Sequence, residues 1–328
     1  MKSPHLPHFS RARSAALALA LLASPALLIN QASAVTYTWN GNTSNLWNVT
    51  TNWDIGAIPA AANTTDVIIG GTTNVGGMIT AGGSYTVKSL TFDDSNDALT
   101  TLYLQNSSGP TSISRTLTFS SDSGDATLTV TAGSTGDKYI NRFSSSNATA
   151  DVALTSSLSI VLNGSGNLTI GSLARFTGAG NITKSGTGTL ILAGNNTYTG
   201  NTSISAGTIE ITSTGRLGAG TYAGKISNDA TLIYSGTNAQ TLSGIISGTG
   251  ALTHNASSTL TLSGANTYTG ATTISAGTLQ IGAGGTTGSL STSSAITNNG
   301  ALVFNRSNAV TQGTDFSGAA ITGTGLLI

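Results

Sequence analysis

The chain has 328 residues, of which 38% are hydrophobic and only 7% charged, with 42 glycines, 5 prolines and no cysteine. Ordinary domains carry about 25% charged residues. Here Lys88, Arg115, Lys138, Arg142, Arg175, Lys184, Arg216, Lys225 and Arg306 are scattered singly, which excludes the clustered basic surface that nucleic acid requires. The absence of cysteine excludes a disulfide framework, and patterned hydrophobicity with little net charge excludes a disordered linker.

Lys2, Arg11 and Arg13 precede an apolar run from Ala15 to Ile29, and Ala32-Ser33-Ala34 follows as a small-residue cleavage pattern. This is the plan of a secretory signal peptide over 1–34, with cleavage predicted after Ala34 and a secreted or cell-surface location. The run contains Pro25 and is shorter than the roughly 20 residues that span a bilayer, so no transmembrane helix is expected in the mature chain. Removing residues 1–34 takes three of the 12 basic residues and leaves 9 basic against 12 acidic, a net charge of −3.

Residues 35–94 form a tryptophan-rich region with Trp39, Trp47 and Trp53. A solenoid exposes an unpaired coil at its end, and large aromatics can close it, so a cap is the expected role. Stacking of sugar rings on the indoles is the alternative. Residues 95–177 continue in strand-like runs (TLYLQ, RTLTFSS, ATLTVTA, SSLSIVLNG, NLTIGS) without an internal copy. Asp93, Asp94 and Asp97 could offer oxygen ligands to Ca²⁺, but FDDSND lacks the EF-hand spacing, and a solvated loop is expected. Asp122 and Asp125 flank Ser123-Gly124 and read as a turn.

Residues 178–328 contain a repeat. Gly178 to Ile211 (GAGNITKSGTGTLILAGNNTYTGNTSISAGTIEI) and Gly248 to Ile281 (GTGALTHNASSTLTLSGANTYTGATTISAGTLQI) are identical at 19 of 34 positions, and a partial third copy begins at Gly323. Leu190 with Leu192, Ile204, and Ile209 with Ile211 alternate with small polar residues, which is the strand period. Gly194, Gly200 and Gly207 are expected to supply positive-φ corners. Short strands joined by tight corners suit a β-solenoid with roughly 20–25 residues per coil, so one module should hold about three coils. Asn196 and Asn266, or Tyr198 and Tyr268, would then occupy equivalent corners. His254 replaces Lys184 of the first copy and Gln280 replaces Glu210, substitutions expected of exposed positions.

The runs GTLILAGNNTYTGNTSISAGTIEI and STLTLSGANTYTGATTISAGTLQI resemble the autotransporter-associated β-strand repeat, also called the passenger-associated transport repeat, of bacterial surface and secreted proteins. The resemblance covers 178–211 and 248–281, with a partial start at 323. It implies an all-β, right-handed parallel β-helix, here with an N-terminal cap. It further implies a role in moving a passenger across or onto the outer membrane, with export machinery as a partner, and it does not imply an enzymatic activity. The leading expectation is an exported, non-enzymatic passenger or surface structural protein. An adhesin or glycan-binding module that takes cell-surface glycans is the alternative, and a polysaccharide-degrading enzyme the third. Glycoside hydrolysis needs two carboxylates across a cleft and a nucleophilic triad needs a base held by an acid, and no residue is assigned a catalytic, cofactor-binding or metal-binding role. The membrane β-barrel of autotransporters is not seen after the repeats, so another export system or a longer gene product is expected. The apolar Leu326-Leu327-Ile328 edge suggests end-to-end self-association.

Overall fold

Alternation of branched apolar residues with Thr and Ser, interrupted every few residues by Gly or Asn, produces short strands whose one face is apolar and whose ends turn sharply. The computed structural model describes residues 34–41, 44–70, 78–94, 100–105, 114–134, 136–142 and 148–328. The segment before Ala34, expected to be a signal peptide, and Asp97 lie outside the described residues. Every ladder between the described strands is parallel, and strands stack in the order in which the chain winds. The fold is therefore an all-β parallel solenoid built on three faces.

Face 1 is a nine-stranded sheet that starts at Val35–Trp39 and ends at Ile246–Ser247. Face 2 runs from Met78–Ala81 through Lys138–Asn141, Leu168–Ile170, Thr189–Leu192, Thr208–Ser213 and Thr231–Gly236. Face 3 begins with Tyr85–Val87 and continues through Arg115–Phe119, Ala150–Leu154 and Ala174–Gly178. Farther along, Ala251–Leu262 bends through a corner and pairs on two faces, with Leu232 through Leu252 and with Leu242 through Leu262. The ladders cross the sequence boundaries near 94 and 177 without interruption, since Ser89–Asp93 pairs with Ala126–Val130 and Leu158–Leu162 with Ile182–Ser185.

The inward positions read from the sequence are buried: Leu190, Leu192, Ile204, Ile209 and Ile211 all join one continuous apolar core. Coil length also matches in the repeat region, where Ile182, Thr202, Ile226 and Ile246 stack in successive coils. It fails farther upstream. Ser89 stacks under Thr127 and Ala126 under Leu158, so these coils take far more chain than those of the repeat.

A module holds about three coils, as expected, but the expectation that its two copies occupy equivalent corners needs a correction. Three coils carry the chain from Ile182 to Ile246, and the short remainder up to Leu252 moves it to the next face. Ile182 accordingly lies on face 1 between Leu158 and Thr202, whereas Leu252, its counterpart in the second copy, lies on face 2 between Leu232 and Thr272. Asn196 and Asn266 therefore sit at different corners, and the two copies are turned by one face.

The glycine reading is corrected in part. Gly207 has φ +70, as expected, but Gly194 and Gly200 are not in the left-handed region. They are required by close approach: a Cβ on Gly200 would lie 2.2 Å from the Gly180 carbonyl oxygen, one on Gly224 2.5 Å from that of Gly200, and one on Gly244 2.1 Å from that of Gly224. Gly180, Gly200, Gly224, Gly244 and Gly264 form a column at the corner between faces 3 and 1, where one coil rests on the backbone of the coil before.

At the N-terminal end the three indoles are buried, with Trp47 only 1% exposed. Trp53 meets Trp39 and Trp47 edge-on at ring separations of 5.1 and 4.7 Å, and its Nε1 donates to the Trp47 carbonyl at 2.7 Å. This is the expected cap, and no indole face is open to stack on a sugar.

Trp47→Ala should cost about 3–5 kcal/mol in the coils near the end, read as a separate low-urea transition; loss of less than about 1 kcal/mol would show that the cap does not depend on it. Gly244→Ala should cost about 3 kcal/mol because the new methyl meets backbone rather than a movable side chain, whereas Gly285→Ala, which meets nothing within 4 Å, should stay within about 0.5 kcal/mol. Equal urea midpoints for the two variants would refute the close-packed column.

Candidate functional site

The feature built most deliberately is the corner around the shared Asn-Thr-Tyr-Thr-Gly. A chain that leaves one face and enters the next turns its backbone N–H and C=O groups out of the ladder, and buried groups of this kind must find partners. Asn196 supplies them for three coils at once. Its Oδ1 accepts from the Phe176 N–H at 2.9 Å in the preceding coil, and its Nδ2 donates to Gly194 at 2.8 Å and to the Arg216 carbonyl of the following coil at 3.2 Å. Asn266 repeats this with Ile246 at 2.9 Å, Gly264 at 2.9 Å and Ser289 at 3.0 Å.

Beside each asparagine runs a chain of hydroxyls whose direction can be deduced. The Tyr222 hydroxyl has one proton, and the Gly200 carbonyl, which cannot donate, takes it. Thr202 must therefore donate to Tyr222 (2.7 Å), and Tyr198 to Thr202 (2.6 Å). In the second copy the same logic gives Tyr268 to Thr272 (2.7 Å), Thr272 to Ser294 (2.9 Å) and Ser294 to the Gly270 carbonyl (2.7 Å). Sequence reasoning does not single out Tyr222 or Ser294. A signal for Tyr222 is present, however: the Tyr-x-Gly spacing of Tyr198/Gly200 and Tyr268/Gly270 recurs at Tyr222/Gly224. Burial raises the phenols of Tyr198, Tyr222 and Tyr268 and pushes Tyr234 up to about 12, so they remain protonated donors at neutral pH.

Lys184 and His254 correct the expectation of exposed positions. Both are buried. The Lys184 ammonium donates to the carbonyls of Ser185 (2.9 Å), Gly186 (2.8 Å) and Ala206 (3.1 Å). Burial pulls its pKa down to about 8. His254 stacks on Tyr234 at 5.8 Å, with Nε2 2.9 Å from the Ser258 carbonyl. The position is an inward strand end whose side chain satisfies corner carbonyls.

The acidic candidates do not converge. Asp93 and Asp94 point to opposite sides of the sheet: Asp93 is exposed and accepts from Thr131 at 2.6 Å, while Asp94 is buried, against expectation, and pairs with Lys138 at 3.5 Å. Asp122 and Asp125 lie in an exposed turn, as expected, with Gly124 at φ +71. Glu210 faces outward and accepts from Ser235 at 2.8 Å, and the aligned Gln280 is also partly exposed. Among the described residues no group of three or more His, Asp or Glu side chains is placed to hold a metal ion, and no helix is long and apolar enough to cross a membrane.

The lysine gives a pH signature. Its folded pKa of about 8 lies below the unfolded value of 10.5, so between these values the unfolded chain binds more protons and stability should rise with pH. From about pH 10 the buried tyrosines, whose folded phenols titrate later than unfolded ones, should reverse the trend. Urea midpoints measured from pH 7 to 11 should pass through a maximum, and Lys184→Met should flatten the rising limb; an unchanged rise in the variant would dismiss the assignment.

Comparison with known families finds a match to the family described as Passenger-associated-transport-repeat over residues 182–211 and 257–281. Comparison with curated proteins and with solved structures finds no match. Both matched segments lie within the two copies whose corners are described above, and the chain thus carries two passenger-associated-transport repeats set in a parallel β-solenoid.

Proposed function

We propose that the chain is an exported, non-enzymatic passenger or surface structural protein, whose repeats assist folding and secretion by letting each coil template the next. The observation that carries this reading is where the shared residues point. Asn196, Tyr198 and Thr202, with their counterparts Asn266, Tyr268 and Thr272, are buried, and their hydrogen bonds join successive coils. A repeat used in this way serves stacking, and stacking proceeds by nearest neighbours. Export through the segment ending at Ala34, with residence outside the cell or on its surface, belongs to the same reading.

A second reading, an adhesin or glycan-binding surface, draws on one feature of face 1. Ser89, Thr127, Ser159, Thr183, Ser203, Ser227 and Ser247 stand in register, one per coil, as an outward column of hydroxyls, with rungs about 4.8 Å apart. Binding of the folded chain to an immobilised glycan, lost when Thr183, Ser203 and Ser227 are changed to bulky residues, would favour it.

The chain, with its own N-terminal segment and a C-terminal epitope, can be expressed in a Gram-negative host and followed by fractionation and by protease treatment of intact cells. It should appear outside the inner membrane with a protease-resistant core. Asn196→Ala with Asn266→Ala leaves buried backbone groups unpaired, at about 1–3 kcal/mol each, and should lower the amount displayed or released several-fold while synthesis is unchanged. Equal display of parent and double variant would reject a role of the repeats in secretion.

A further inference from the structure

We infer that the segment 44–62 is a guard that prevents a second copy of this chain from adding its strands to the N-terminal end of the solenoid. A parallel solenoid that only buried its last apolar layer under tryptophan would still present three open strand edges, each able to pair with another chain. This end does more. Each of the three first strands has outward backbone groups taken by the segment that crosses over it.

On face 1, the Thr38 N–H donates to Asp54 Oδ1 at 2.9 Å, the Asp54 N–H donates back to the Thr38 carbonyl at 3.0 Å, and the Asn40 N–H donates to the Asn52 carbonyl at 2.8 Å. On face 2, the Thr80 N–H donates to the Asn45 carbonyl at 2.7 Å and the Trp47 N–H to the Thr80 carbonyl at 3.0 Å. On face 3, the Ala62 N–H donates to the Thr86 carbonyl at 3.0 Å. One continuous segment thus visits all three edges, and the tryptophans that cover the core hold it there. The Asp54 carboxylate also accepts from the Ile55 N–H at 2.9 Å, which fixes it over the edge.

The groups removed from reach are those that a second copy would need, because strand addition proceeds through backbone N–H and C=O groups and is indifferent to side-chain sequence. The partner excluded is therefore another strand edge, and a copy of the same chain is the one always present at matching concentration. Asp54 is an exposed member of the guard, so it can be altered with little disturbance of the core.

The test compares the parent, Asp54→Ala and Asp54→Asn by multi-angle light scattering after gel filtration over a hundredfold range of concentration. Amide exchange at Thr38 and circular dichroism are recorded alongside. Asp54→Ala should keep the strand signal, exchange faster at Thr38, and associate at least tenfold more strongly than the parent. Asp54→Asn, which keeps an oxygen acceptor, should behave as the parent does. Should Asp54→Ala fail to fold, Ala62→Pro, which deletes the donor to Thr86 on face 3, carries the same expectation. Association equal to that of the parent, with Thr38 exchange accelerated, would overturn the inference, as would equal association of the alanine and asparagine variants.

Discussion

Each coil must climb one strand spacing, about 4.8 Å, and the structure depends on making that climb equal on three faces at once. Strand ladders enforce the spacing along the faces, but nothing in a ladder enforces it at the corners. There the column from Gly180 to Gly264 does so by omission, since any side chain would strike the carbonyl of the coil below. The coils come closest where they have no side chains. This explains an otherwise costly concentration of glycine, whose unfolded-state entropy weakens a strand but whose absence of Cβ is the only way to bring two corners into backbone contact.

The same geometry dictates a polar lining at the corners of an apolar core. Turning the chain every few residues takes backbone groups out of the ladder, and with water excluded these groups need side chains that complete their hydrogen bonds. The residue type follows from what is left unpaired. Where one N–H and two carbonyls converge, an asparagine amide answers both kinds, as Asn196 and Asn266 do. Where three carbonyls converge, Lys184 supplies three donors and accepts the desolvation that lowers its pKa. Gln240 serves the corner at Leu217 as both donor and acceptor.

Period-2 alternation is a local property, and for that reason the pattern alone assigns Leu190, Leu192, Ile204, Ile209 and Ile211 to the interior, where they lie. The tryptophan cap is legible for a similar reason, since three large aromatics within a short stretch have to be buried somewhere. Burial of His254 is not legible. A histidine aligned with a lysine in a polar run resembles a solvated position, and the backbone carbonyls that make the site leave no trace in the sequence. The turn of one face between copies is hidden because successive coils differ in length, Ile182 to Thr202 being shorter than Thr202 to Ile226, and the module does not hold a whole number of them. Glycine reads as conformation when, at Gly194 and Gly200, the constraint is space.

That turn bears on what the repetition is for. A surface that recognised an extended ligand would keep its residues on one face, in line, and would keep the outward ones. The two copies depart from the first of these. Their equivalent strands look out from different faces; among outward positions Thr199 with Thr269 and Ser205 with Ser275 recur, while Asn201 against Ala271, Ser203 against Thr273 and Glu210 against Gln280 differ. The apolar, aromatic and amide residues that recur are interior ones, Leu190 with Leu260, Asn196 with Asn266 and Tyr198 with Tyr268, joined by the buried hydroxyls of Thr202 and Thr272. A set of buried corner residues that recurs whichever face the copy occupies is what coil stacking requires, because each new coil is received by the backbone and the buried side chains of the last.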